Sequence, residues 1–300
     1  MRIAVTGANS SVGQNLLARA VENGDVTVVA GVRSERAAAS LPRSPQIAPR
    51  IVSYNDVDEL AEIMEGAACI VHLAGILIQS RTSTYESANV AATASVVEAS
   101  KKAGMGHIVL ISVLGANTDS PNGFLKSKGE AERVVAESGI PSTIIRTPIL
   151  LGPGTAGAAS LVGTAARVKA KLLGGGHQVL RPLDIDDLSL AILQVCQAQP
   201  VGTSVHELVG PESITYRALV VRVAEMMKNP LTIGTIPLWI AKLSAAVTSK
   251  LKGGGISPDV IDVITSSEVV QENADAEMGI SLTPLSRTLE TILTEKKHET

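Results

Sequence analysis

Three hundred residues that are 45% apolar and 18% charged, with net charge −3, exclude a disordered chain and a general binder of phosphate backbones. One Phe, one Trp and three Tyr leave the core to Ala, Val, Ile and Leu. They supply no base-stacking platform, so no nucleic-acid partner is expected.

Cys69 and Cys196 lie far apart in apolar segments and imply neither a disulfide framework nor a metal site. The N-terminus, MRIAVTGA, enters a strand directly, without an apolar leader. The most apolar long stretch, 231–251, is broken by Gly234, Pro237 and Lys242. A mean hydropathy of +0.26 suits buried parallel strands and Ala-rich helices. The expectation is a soluble, cytoplasmic monomer or homodimer.

Short β-branched runs at 3–6, 26–30, 51–52, 68–74, 108–111 and 143–146 predict strands buried on both faces, because they are continuous rather than alternating. Between them, 12–22, 57–64, 84–102 and 126–138 carry helical periodicity. Gly24, Gly66, Gly104 and Gly139 each stand where a helix must stop. Strand and helix alternate at least five times, which predicts an α/β fold, a doubly wound parallel sheet.

The turn after the first strand reads Thr6-Gly7-Ala8-Asn9-Ser10-Ser11-Val12-Gly13. A tight strand-to-helix turn leaves the first helical N–H groups unpaired beside the positive end of the helix dipole, where a pyrophosphate binds. Gly7 permits the turn and Gly13 close helix packing, while Ser10 replaces a middle glycine. The second strand ends Ala30-Gly31-Val32-Arg33-Ser34, with no acid before Glu35. A carboxylate there would serve the ribose of NAD. Arg33 suits the 2′-phosphate of NADP(H) instead, so NADP(H) is expected and NAD(H) is the lesser candidate.

Beyond Pro148 the rhythm changes. A helix is expected over 158–173, GGG at 174–176 leads into 177–180, 185–196 is a capped helix, and 203–209 is one more strand. Residues 1–150, with 178–210 returning to the sheet, would form the dinucleotide domain. Residues 151–177 and 211–300 would form a smaller, mainly helical lobe for substrate or partner. Asp184, Asp186 and Asp187 are assigned to helix capping rather than metal, with Asp186 at the helix start. PLWIAKLSAAVTSKLK (237–252) fits either a lobe helix packed on its neighbours or a helix at a membrane surface. The polar tail from Glu295 is expected to fray.

TGANSSVG, His72-Leu73-Ala74-Gly75, Asn89-Val90-Ala91-Ala92-Thr93, Ile111-Ser112, Lys126-Ser127-Lys128, Arg146-Thr147-Pro148 and Gly152-Pro153-Gly154 resemble the short-chain dehydrogenase/reductase superfamily. The resemblance is to its atypical, extended branch, which takes in NmrA-like proteins and an accessory subunit of respiratory complex I. It implies that Gly7, Asn9, Ser10, Ser11, Val12 and Gly13 hold the pyrophosphate and Arg33 the adenosine phosphate. Ser53 and Tyr54 would flank adenine, with Ser53 standing where the family carries Asp. Leu73, Ala74 and Gly75 would line the middle of the cofactor. Ser112, Lys128, Pro148 and Ile149 would surround its nicotinamide.

Family members that reduce carbonyls or epimerise sugars use Tyr-x-x-x-Lys, the Lys lowering the Tyr pKa and the Tyr moving a proton. Four residues before Lys128 stands Phe124, which carries no proton. The implied protein binds NADP(H) with weak or no conventional dehydrogenase activity, as a redox sensor or a stabiliser of a complex. A genuine oxidoreductase acting on a quinone or carbonyl, with Tyr85 as a substitute acid, is the first alternative. A sugar-nucleotide epimerase or dehydratase is the second. The partner implied is a small molecule, with a protein complex or membrane surface also open.

Overall fold

A computed structural model describes residues 1–298. Its first half alternates β1 (Arg2–Thr6), α1 (Ser11–Asn23), β2 (Thr27–Val32), α2 (Glu35–Ala39), β3 (Ile47–Ile51), α3 (Val57–Met64), β4 (Cys69–His72), α4 (Ala92–Lys102), β5 (Ile108–Val113), α5 (Gly123–Ala136) and β6 (Ser142–Thr147). A π-helical turn, Glu86–Ala91, leads into α4.

Then follow β7 (Leu150–Leu151), α6 (Ala156–Ala165), β8 (Lys169–Leu173), β9 (Val179–Leu180), β10 (Leu183–Asp184), α7 (Ile185–Ala198) and β11 (Thr203–Glu207). The chain continues through β12 (Ile214–Thr215), α8 (Tyr216–Met226), β13 (Thr232–Ile236), α9 (Leu238–Lys252), α10 (Pro258–Thr265) and α11 (Leu285–His298).

Seven strands form one sheet in the order β11-β6-β5-β4-β1-β2-β3. Every pairing in it is parallel. The order reverses between β1 and β4, the switch point at which doubly wound sheets open a crevice.

The two faces divide as a pleat requires. Ile3 and Val5 point to the side covered by α1 and α7, where Leu16, Leu17, Leu188 and Ile192 are buried. Ala4, between them, faces α3 and α4 with Leu60, Met64, Val96 and Val97. Burial on both faces is why these strands read as unbroken apolar runs. Gly24, Gly66, Gly104 and Gly139 all take positive φ just past helix ends, as the capping argument requires. The two distant cysteines meet in this core, both thiols free and buried.

The structure corrects several local expectations. β3 begins at Ile47 rather than Ile51, and α2 was not anticipated. The helix expected over 158–173 ends at Ala165, and Lys169–Leu173 is a strand paired with β13. Its period of two decides the matter: Lys169 and Lys171 are exposed while Ala170 and Leu172 are buried. The later half is therefore less helical than expected, with three small two-stranded sheets, β10 with β7, β12 with β9 and β13 with β8.

The N-cap of α7 is Asp184, not Asp186, which instead pairs with Arg19 and Asn15 of α1. Asp187 accepts from the backbone and hydroxyl of Thr283, tying the C-terminal segment to α7. Among the described residues no three His, Cys, Asp or Glu side chains converge as a metal site. The tail expected to fray is helical to His298, and residues 299–300 lie outside those described. No helix among the described residues is long and apolar enough to cross a membrane.

Candidate functional site

A cleft of about 670 Å³ opens at the carboxyl ends of β1, β2, β3 and β4. Its floor is the β1–α1 turn. Gly7 has φ +73°, and a Cβ there would lie 2.9 Å from Ala74 N, so the turn and the β4 exit touch backbone to backbone. A Cβ on Gly13 would lie 2.4 Å from Ala8 O, which seats α1 directly on the loop. Ser10 is the N-cap: its Oγ accepts from Gly13 N at 3.0 Å and keeps its own proton to donate outward. The N–H groups of Ser11 and Val12, in the first helical turn, have no helical acceptor.

Gly7, Asn9, Ser10, Arg33, Ser53, Tyr54, Leu73, Ala74 and Gly75 share the wall of this cleft. Ser11, Val12 and Gly13 sit behind it in the first turn of α1, with Val12's side chain packed on the core. Arg33 is exposed, and among the described residues no carboxylate pairs with it. Sequence reasoning missed Glu59, Thr82, Ser83 and Ser87, which also line the cleft. The long connection after β4 was the available signal, because loops at strand carboxyl ends rim such crevices. Glu59 Oε2 accepts from Ser53 N at 2.9 Å, so this carboxylate fixes the β3 exit.

Beneath the cleft runs a buried polar chain. Thr93 Oγ1 donates to Asn89 O at 2.6 Å, so it must accept from His72 Nε2. His72 Nδ1 then accepts from Thr6 Oγ1 at 2.6 Å. Tyr54 lies beside Thr6 and edge-on to His72, ring centroids 6.2 Å apart, at the cleft end of this chain. Burial, with the Lys128 charge nearby, pushes the His72 pKa down to about 3, so the imidazole stays neutral. It is a strand histidine with both ring nitrogens engaged. Asn89 holds the β4 exit: Oδ1 accepts from Ile76 N, and Nδ2 donates to Ile76 O and to Ser127 Oγ.

The residues expected around a nicotinamide are not on the cleft wall. Lys128 is buried, its Nζ donating to Ile111 O at 2.9 Å, and burial pushes its pKa down to about 8. The Ser112 hydroxyl is buried with no hydrogen-bond partner among the described residues. Phe124 is buried against Tyr85, ring centroids 5.8 Å apart and planes tilted by 56°. The Tyr85 hydroxyl donates to Leu77 O at 2.9 Å. Ile149 N donates to Glu268 Oε1 at 3.3 Å, so its N–H is already engaged. α10 closes this end, Asp259 accepting from Gly123 N at 3.1 Å at the start of α5.

The model of the NAD(P)H-binding family matches residues 7–171, from the glycine turn through β8. The chain belongs to the NAD(P)H-binding family. A protein of Arabidopsis thaliana, mitochondrial NADH dehydrogenase (ubiquinone) 1 alpha subcomplex subunit 9, is 26% identical over 265 residues. That match takes in 80% of this chain but only 62% of the plant protein, so the chain spans about three-fifths of that relative's length. Quinone oxidoreductase 2 of Escherichia coli is 22% identical over 89% of this chain and 87% of its own.

Among solved structures, MoeE5 in complex with UDP-glucose and NAD superposes with a TM-score of 0.76 at 19% identity, covering both chains fully. It shares the fold. These matches fit the resemblance to extended short-chain dehydrogenases/reductases and NmrA-like proteins. The NAD(P)-binding domain is thereby established, on an oxidoreductase- and epimerase-like family background.

Proposed function

We propose that this protein binds NADP(H) and lacks the conventional tyrosine-dependent chemistry of its superfamily. The observation that carries the reading is Phe124, buried at the position of the proton-donating tyrosine while Lys128 and Ser112 keep their places. The residues present fit the dinucleotide. The turn offers unpaired N–H groups at a helix N-terminus, and Ser112 carries an orphaned hydroxyl where the resemblance places the nicotinamide. When bound, NADP(H) supplies or accepts a hydride.

This chain's own residues would do the rest. Gly7, Asn9, Ser10 and the first turn of α1 hold the pyrophosphate. Arg33 grips the 2′-phosphate, Ser53 and Tyr54 flank adenine, and Leu73, Ala74 and Gly75 line the middle. Lys128 and Ser112 orient the nicotinamide ribose. Without a phenol at 124 no positioned acid meets an alkoxide formed from a ketone, so the bound cofactor serves sensing or stabilisation of a complex.

A quinone is the second reading. It is favoured by the match to quinone oxidoreductase 2 along most of both chains. Adding hydride to a quinone makes a phenolate, a far weaker base than an alkoxide, so the transfer leans less on a positioned acid, and completing the proton transfer asks for a group below tyrosine's pKa of about 10. A Lys128 ammonium pushed down to about 8 meets that demand.

Titration calorimetry with NADPH and NADH tests the cofactor assignment. Tighter NADPH binding is expected, and Arg33→Ala should weaken NADPH about tenfold or more while sparing NADH, since only the phosphate pairing is lost. Equal affinities in the parent protein would defeat the assignment.

A further inference from the structure

α9 wears its hydrophobic side outward. Trp239, Leu243, Val247 and Leu251 are 69%, 62%, 52% and 76% exposed, and Ile240 is exposed beside them. At 100° per residue these five side chains fill an outward arc of roughly 120°. The inward face is the less apolar one: Leu238 packs over Gly174, Ala245 is buried, and Lys242 pairs with Asp262 of α10. A surface helix of a globular protein should show the reverse, with the apolar arc against the core.

Charge singles out the same segment. From Met226 to Pro258 the sequence contains no Asp or Glu and four lysines, Lys228, Lys242, Lys250 and Lys252, in a chain whose net charge is −3. The segment around the exposed apolar row thus carries positive charge and no acid of its own. Lys250 is exposed within the apolar arc, about 20° from Trp239 toward Leu243 in helical angle. The glycine run that follows continues the surface. Gly255 N donates to Gln79 O at 2.9 Å, fastening the loop that carries exposed Leu77 and Ile78, and Ile256 is 55% exposed. Thr82 and Ser83 of that loop line the cleft.

We propose that α9, with the loop it fastens, seats this protein on an anionic lipid surface, with the cleft mouth beside the contact. An apolar arc led by Trp, flanked by lysines and free of acids, is the composition that lies in a membrane interface. A symmetric pairing of two copies through this face would set the lysines of one against those of the other, with no acid in the segment to answer them. The charge pattern therefore favours lipid over a second copy.

Trp239 is the single tryptophan and reports its own environment. The full-length protein is mixed with vesicles of phosphatidylcholine alone and with vesicles containing about 30% phosphatidylglycerol, then followed by sedimentation and tryptophan emission. Binding to the anionic vesicles should be about tenfold tighter or more, weaken with salt, and move Trp239 emission to shorter wavelength. The double variant Leu243→Glu/Val247→Glu should lose vesicle binding at least about tenfold while its melting temperature and NADPH titration match the parent's. Absent sedimentation, unchanged Trp239 emission, or equal binding by the double variant each overturns the proposal. So does a concentration-dependent dimer that the variant dissolves without any vesicle binding, which would make the face a contact between copies.

Discussion

Replacing Lys128 by Met tests the electrostatics of a buried ammonium. The ammonium is buried, it donates to one carbonyl, Ile111 O, and burial lowers its pKa from 10.5 to about 8. An amine that titrates lower in the folded chain than in the unfolded one releases its proton on folding. Between pH 8 and 10.5 the unfolded chain holds more protons, so stability must rise with pH across that window. Below it the whole penalty applies, roughly 3 kcal/mol at ~1.4 kcal/mol per tenfold change in proton affinity.

Going from about pH 7 to about pH 9.5 relieves about 2 kcal/mol of this in the parent and none in Lys128→Met, which keeps the bulk and drops the charge. Urea unfolding of both proteins at the two pH values, without dinucleotide and at matched ionic strength, measures the difference in slope. The baseline offset carries no weight, because the variant also leaves Ile111 O without this donor. Parallel pH dependences in parent and variant would refute the buried-ammonium argument. If Lys128 also orients the nicotinamide ribose, the variant binds NADPH about tenfold more weakly or worse.

Gly13→Val places a side chain where a Cβ already meets Ala8 O at 2.4 Å. It should abolish NADPH binding and cost roughly 1–3 kcal/mol of stability, read by calorimetry and thermal melting; normal binding would disqualify the 7–13 loop as the pyrophosphate cradle. His72, held neutral down to about 3 against an ordinary 6.5, makes the unfolded chain the better proton binder in that window, so stability falls as pH drops below 6.5. Unfolding at about pH 7.5 and about pH 5 should show the parent losing about 2 kcal/mol more than His72→Gln, and equal losses would contradict it. Phe124→Tyr should add NADPH-dependent ketone reduction at least about tenfold above the parent, since a positioned acid typically contributes about a hundred- to ten-thousandfold. Brisk ketone turnover by the parent, lost on Tyr85→Phe or Ser112→Ala, would show that another acid serves.

Periodicity made the doubly wound sheet legible because its strands are buried on both faces and its helices end on glycine. The same rule failed at Lys169–Leu173, where five residues of alternating exposure were absorbed into a preceding helical pattern. Gly7, Arg33 and Leu73 stand on the cleft wall because each follows a strand end, and strand ends are readable from periodicity. What the motifs could not show is which polar atoms are already engaged. Ser10 Oγ, assigned to the pyrophosphate by the motif, also accepts from Gly13 N as the helix cap. Ile149 N spends its proton on Glu268, a residue far along the chain that no local pattern ties to the site. The Tyr85 hydroxyl is held by Leu77 O while its ring braces Phe124.

That last contact ties the two substitutable positions together. A tyrosine recruited as proton donor must first leave a carbonyl 2.9 Å away, losing a hydrogen bond in a partly desolvated setting, and must do so while supporting the ring at 124. On the first proposed reading Phe124 removes the acid, and its packing also holds the nearest replacement in a role that keeps its proton from a substrate. The lysine and serine would then be left with cofactor orientation, and absence of the phenol would weaken ketone chemistry without weakening the dinucleotide site.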